Sequence, residues 1–128
     1  YRGGSWKNCS LVKKHNIKKL NIAGNGAYTL KGKFRIQQET LTVYLYRTLK
    51  EVIKFHKLDE IRSGGQTGVD EAGVRAANTL HIPAIALYPK GFKIRLEDGK
   101  DYCDEALIRE RLRCLADTNL TLYTKKYN

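Results

Sequence analysis

Polar and apolar residues alternate through Lys18-Lys19-Leu20-Asn21-Ile22-Ala23 and the run ends in Gly24-Asn25-Gly26, the pattern of a strand closing in a tight turn. From about Glu39 to Lys57 the period changes. Leu41, Leu45, Leu49, Val52, Ile53 and His56 recur at three- and four-residue spacing, which predicts a helix of about five turns with one buried stripe. Asp59-Glu60-Ile61-Arg62-Ser63 is a weak strand by itself, but it leads into a glycine cluster and a second helical pattern, and that context makes it a strand. Val69, Ala72, Gly73, Ala76, Ala77 and Leu80 mark one face of the second helix, small enough at most positions for close approach to a sheet. Ile82 to Tyr88 is a continuous apolar run with Pro83 near its start, the pattern of a buried parallel strand. Pro89 to Tyr102 combines turn formers with charges and is read as a long functional loop. A third helix is expected near Asp104 to Leu115 and a last strand near Leu120 to Tyr123.

Alternating strands and helices predict the α/β class: a single Rossmann-like domain over residues 1–128, its mainly parallel sheet of about four or five strands having helices packed over its faces. A chain of 128 residues is the length of one domain. Residues 1–17 fall outside the pattern and read as an N-terminal extension that folds over the sheet edge or meets a partner, a second copy of the chain included. The apolar runs are far shorter than the ~20 residues of a membrane-spanning helix, and no signal-peptide pattern opens the chain. The expectation is a cytoplasmic protein with no membrane partner. Cys9, Cys103 and Cys114 lack CxxC spacing, which argues against a disulfide framework and a closed zinc site and for a reducing compartment; no metal site is expected. The chain has no methionine, so Tyr1 is read as a processed or incomplete start.

Charge changes this picture in one half of the chain. Residues 1–58 hold 13 lysines and arginines against 2 acids, whereas residues 59–128 hold 11 of each, so the whole net charge of +11 sits in the first half. Lys7, Lys13, Lys14, Lys18, Lys19, Lys31, Lys33 and Arg35 make a field suited to nucleic acid, an acidic partner or anionic small molecules, or simply a solvated lysine surface.

In an open parallel sheet the ligand crevice lies at the carboxyl ends of the strands. Three glycine-bearing segments are expected there: Gly24-Asn25-Gly26, Ser63-Gly64-Gly65-Gln66-Thr67-Gly68, and the loop with Lys90, Lys93 and Arg95. Glycine amides can approach an anion closely, and the second helix start adds N–H donors and a positive dipole end. Thr67-Gly68-Val69-Asp70 also matches a capping box, with Thr67 as N-cap and Asp70 at N3. Carboxylates in the first helical turn repel a phosphate on the same amides. Either an acid therefore holds ribose hydroxyls, or Glu71, with Asp70 the second candidate, acts as general acid/base near a glycosidic carbon. Tyr28 and Trp6 are candidates for base stacking or for packing. His15, His56 and His81 are scattered, and Ser63 lacks the nucleophile-elbow pattern.

The run Ser63 to Asp70, followed by Ala76-Ala77, Ile82-Pro83, Pro89-Lys90-Gly91 and Glu97-Asp98-Gly99, resembles the molybdenum carrier family of the SLOG superfamily of Rossmann-like domains. That superfamily includes the Lonely Guy phosphoribohydrolases and DprA-type DNA-processing proteins. The match covers about 40 residues. It implies a nucleotide or nucleotide-derived ligand, ADP-ribose-like or a pterin-nucleotide such as the molybdenum cofactor. The phosphoribohydrolase motif Gly-Gly-x-Gly-Thr-x-x-Glu places its glycines on Gly64 and Gly65 and its glutamate on Glu71, with Thr67 and Gly68 in swapped order. Nucleotide binding is thus the leading expectation. N-glycosidic hydrolysis through Glu71 and nucleic-acid binding by residues 1–58 are the alternatives.

Overall fold

The computed structural model describes residues 13–112 and 120–124. Its elements are β1 (Lys19–Ile22), α1 (Ala27–Phe34), α2 (Gln38–Phe55), β2 (Glu60–Ser63), α3 (Val69–Thr79), β3 (Ala84–Tyr88), β4 (Lys93–Arg95), β5 (Asp101–Cys103), α4 (Glu105–Arg111) and β6 (Leu120–Thr124). Four strands form one parallel sheet in the order β1-β2-β3-β6, in register Leu20 to Ile61, Ile61 to Ala84 and Ala84 to Leu120. The chain is therefore α/β and Rossmann-like, as its alternating pattern predicts.

Each successive strand adds on the same side of its predecessor. The crossover helices α2 and α3 pack against each other, and α3 packs on β1, β2 and β3. The stripe on α2 supplies Leu49 and Val52 to the core, with Leu45 and Ile53 packed against it. On α3 the small residues act as expected: Ala72, Ala76 and Ala77 are buried, and the Gly73 backbone lies directly on Ile22 of β1. Ile61, Ala84, Ala86 and Tyr88 meet these helices from the sheet.

The opposite face departs from the expectation of helices on both sides and of a fully buried third strand. Lys19, Asn21, Arg62, Leu87 and Thr121 are exposed there, and Ile85 is half-buried. Among the described residues no helix covers this face, so an unbroken apolar run overstates the burial of β3.

Two elements differ from the sequence pattern. Helix α1 is not signalled, because it is short, carries Gly32 and two lysines, and buries only Ala27 and Leu30. The stretch expected as a loop over 89–102 contains the antiparallel hairpin β4–β5. Its turn is closed by Gly99 N–H donating to the Leu96 carbonyl (3.0 Å), and Asp98 accepts from Lys100 N–H (2.8 Å) and the Tyr102 hydroxyl (2.8 Å). Strands of three residues are too short to show a period. Helix α4 begins as expected, with Asp104 capping Leu107 N–H (3.1 Å), while the expected continuation over 113–115 lies outside the described residues. Among the described residues no helix is long and apolar enough to cross a membrane.

Candidate functional site

Ile22, Ser63 and Ala86 stand level across the sheet, so the segments after β1, β2 and β3 leave it at one edge. A cleft of about 870 Å³ opens there. It is lined by Gly24, Gly26, Gln66, Thr67 and Asp70 of the two glycine loops and the start of α3, by Ala27, Tyr28 and Thr29 of α1, and by Pro89, Lys90, Lys93, Arg95, Asp101 and Cys103 of the segment from β3 through β5. This volume suits a nucleotide-sized molecule.

The two glycine loops are tied to each other before any ligand arrives. Gly24 N–H donates to Asp70 Oδ1 (3.2 Å), and Gln66 N–H also bonds the Asp70 carboxyl. Gly65 N–H donates to Ser63 Oγ (3.1 Å), Gly68 N–H to Gln38 Oε1 (2.7 Å), and Val69 N–H to the Asn25 carbonyl (3.1 Å). The expected anion cradle is therefore already filled: Gln38 and the Asn25 carbonyl take the first amides of α3, and the Asp70 carboxyl takes the loop amides of Gly24 and Gln66. Burial raises the Asp70 pKa above its ordinary value, and the amides of Gly24 and Gln66 only partly oppose this. The stability contributed by this group is fully present below its unfolded pKa and is lost as pH rises through the folded one. A side-chain carboxyl titration by NMR should accordingly place Asp70 above an ordinary aspartate, and a midpoint at or below that value would remove the burial argument.

Thr67 does not cap α3. The N-cap is Gly68, at φ 92° and ψ −130°, a conformation a side chain rarely adopts. Thr67 Oγ1 instead accepts from Ala27 N–H (3.2 Å) and donates to the Arg95 carbonyl (2.6 Å), fixing both α1 and the hairpin to the loop. Gln66 completes the attachment in the manner of an added strand: its amide donates to the Lys93 carbonyl (2.8 Å) and accepts from Arg95 N–H (3.1 Å). Lys93 and Arg95 are thus held at the cleft by their backbones. Their charges meet Asp101, which takes a two-pronged bond from Arg95 (2.8 and 3.1 Å) and lies 3.5 Å from the Lys93 ammonium. Those hydrogen bonds from Arg95 hold the Asp101 carboxyl below the usual range.

Glu71 points away from this cleft. Its carboxylate, on a residue 4% exposed, is gripped by Arg111 from α4 (2.8 and 3.2 Å), and Arg111 also reaches Glu97 (3.2 Å). Beside it the Tyr88 phenol is pushed far above its usual range, first by burial and then by the Glu71 charge. The Tyr88 ring closes against the Gly65 backbone, joining this ion-pair network to the underside of the glycine loop.

No described family, curated protein or solved structure matches this chain. The site consequently rests on its own geometry.

Of the residues expected to bind a ligand, Gly24, Gly26, Gln66, Thr67, Lys90 and Lys93 line the cleft, as does Asp70. Asn25, Ser63, Gly64, Gly65 and Gly68 are not part of the lining; Asn25, Ser63, Gly65 and Gly68 hydrogen-bond within and between the loops, and Glu71 belongs to the Arg111 network. Asp101 and Cys103 were not signalled, because only the hairpin brings them opposite Lys93 and Arg95. The cations of the cleft come from the charge-balanced second half of the chain. Lys31, Lys33, Arg47, Lys50 and Lys54 of the basic half stand exposed on α1 and α2, outside the cleft lining, and Trp6 lies outside the described residues. Among the described residues no three metal-ligating side chains gather.

Proposed function

We propose that the cleft binds the phosphate ester of a nucleotide or nucleotide-derived compound, ADP-ribose-like or a pterin-nucleotide. The observation that carries this reading is the meeting of three loops at the carboxyl edge of a parallel sheet, around a nucleotide-sized cleft with Lys90, Lys93 and Arg95 on one wall. The phosphate sits on those cations rather than on the loop and helix-start amides, because the Asp70 carboxylate holds those of Gly24 and Gln66 and repels a second anion, while Gln38 and Asn25 hold those of Gly68 and Val69. It competes with Asp101 for Lys93 and Arg95. Asp70, acceptor-only when ionised, faces the hydroxyls of a ribose. The cationic wall also suits the phosphate of the molybdenum cofactor. With no three metal ligands gathered among the described residues, this chain would hold that cofactor by its phosphate and ring.

Calorimetry against AMP, GMP and ADP-ribose tests the proposal. The expected result is binding tighter than millimolar that weakens at least about tenfold in Lys93→Gln/Arg95→Gln and with rising salt. A folded protein that binds none of the panel would sink it.

A hydrolytic reading is favoured by one observation only: Asp70 is a carboxylate of raised pKa lining the cleft, as a general acid would be. Release of free base from nucleoside monophosphates by the wild type, abolished in Asp70→Asn and retained in Glu71→Gln, is what this reading predicts.

A further inference from the structure

Among the described residues seven large hydrophobic side chains are exposed, and Tyr28, 53% accessible, is the one that lines the cleft. It is the second residue of α1, directly after the loop that carries Gly24 and Gly26. A half-exposed aromatic at that position contributes little to the core, whose contribution from α1 is Ala27 and Leu30.

The ring is nevertheless held in place. Gly99, at the tip of the β4–β5 hairpin, lies against it so closely that a Cβ there would stand 2.9 Å from Cε2, 3.0 Å from Cδ2 and 3.2 Å from Cζ. Gly99 also has φ +80°, and the turn that positions it is closed by its own N–H. Because Gln66 and Thr67 pin the hairpin to the glycine loop, the ring is braced by the same element that carries Lys93 and Arg95. Tyr28 and Arg95 line the same cleft, and the Arg95 guanidinium is held there by its hydrogen bonds to Asp101. A braced aromatic surface and a cationic wall therefore share one cleft.

We infer that Tyr28 is the stacking wall for an aromatic heterocycle, so that the cleft discriminates nucleotides from sugar phosphates. The inference rests on the phosphate seat proposed above and adds the part of the ligand that seat does not read. Stacking on an aromatic side chain is sequence-tolerant, since every base has a π-face, so a purine of either kind is accepted.

The test is calorimetric, with AMP, GMP and ribose 5-phosphate as probes on the wild type, Tyr28→Leu and Tyr28→Phe. The wild type should bind the nucleotides about tenfold or more tighter than ribose 5-phosphate. Tyr28→Leu should erase that margin without weakening ribose 5-phosphate, and Tyr28→Phe should keep it. On the wild type alone, NMR cross-peaks between the Tyr28 ring protons and the H2 or H8 of AMP give a readout that needs no variant. Ribose 5-phosphate binding as tightly as the nucleotides, or a margin that survives Tyr28→Leu, overturns the inference and leaves the phosphate seat standing. Failure of all three probes overturns both.

Discussion

Gly68→Ala should be the most damaging small substitution in the protein, lowering stability by about 3 kcal/mol or more and abolishing ligand binding. At φ 92° an added side chain is strained wherever it points. Here it would also run into backbone: its Cβ would stand 2.7 Å from the Gly26 carbonyl carbon and 2.8 Å from the Ala27 nitrogen, and closer still to the Asn25 carbonyl oxygen. Backbone atoms cannot swing aside as the end of a lysine can. The two glycine loops would have to separate, breaking the Val69 to Asn25 hydrogen bond and the Thr67 to Ala27 bond. Gly26→Ala provides the comparison, since its Cβ would meet only the Thr67 carbonyl at 3.7 Å. Urea unfolding of the two variants should separate them by several-fold in lost stability. Equal losses would mean that the loop contact is looser than described.

Arg111→Met is the second. It leaves Glu71 as a carboxylate with almost no exposure and without its two-pronged partner, a change that costs about 3–5 kcal/mol when a buried pair is broken from one side. Removing both charges in Glu71→Gln/Arg111→Met should recover most of that loss, because the cost lies in the stranded charge rather than in the pair itself. A double-mutant cycle in urea measures this. If Arg111→Met costs under about 1 kcal/mol, the network is not a structural tie. Glu71 would then be free for the chemistry its place in the sequence suggested.

Most of the fold was legible because its signals were periodic. The three-and-four spacing from Leu41 to Ile53 and the small residues from Ala72 to Ala77 each reported one buried face, and the structure places both where the period requires. The location of the cleft followed from topology, since parallel strands put their glycine loops at one edge. What stayed hidden depended on contacts far apart in sequence. Thr67 and Asp70 have the spacing of a capping box, but their partners are Ala27, Arg95 and Gly24, up to 46 positions away. Glu71 occupies a motif position, yet Arg111, 40 residues on, decides its role. The hairpin escaped notice because charged and turn-forming residues look alike in a loop and in two strands of three residues.

An amide NMR titration with AMP shows where on the protein a nucleotide binds. Saturable shifts should gather at Gly24, Gly26, Tyr28, Gln66, Lys90, Lys93, Arg95 and Asp101, the residues that share the cleft. Shifts confined to Lys31, Lys33, Arg47 and Lys50 on the basic helices, with the cleft silent, would contradict binding in the cleft and move recognition to the charged first half of the chain.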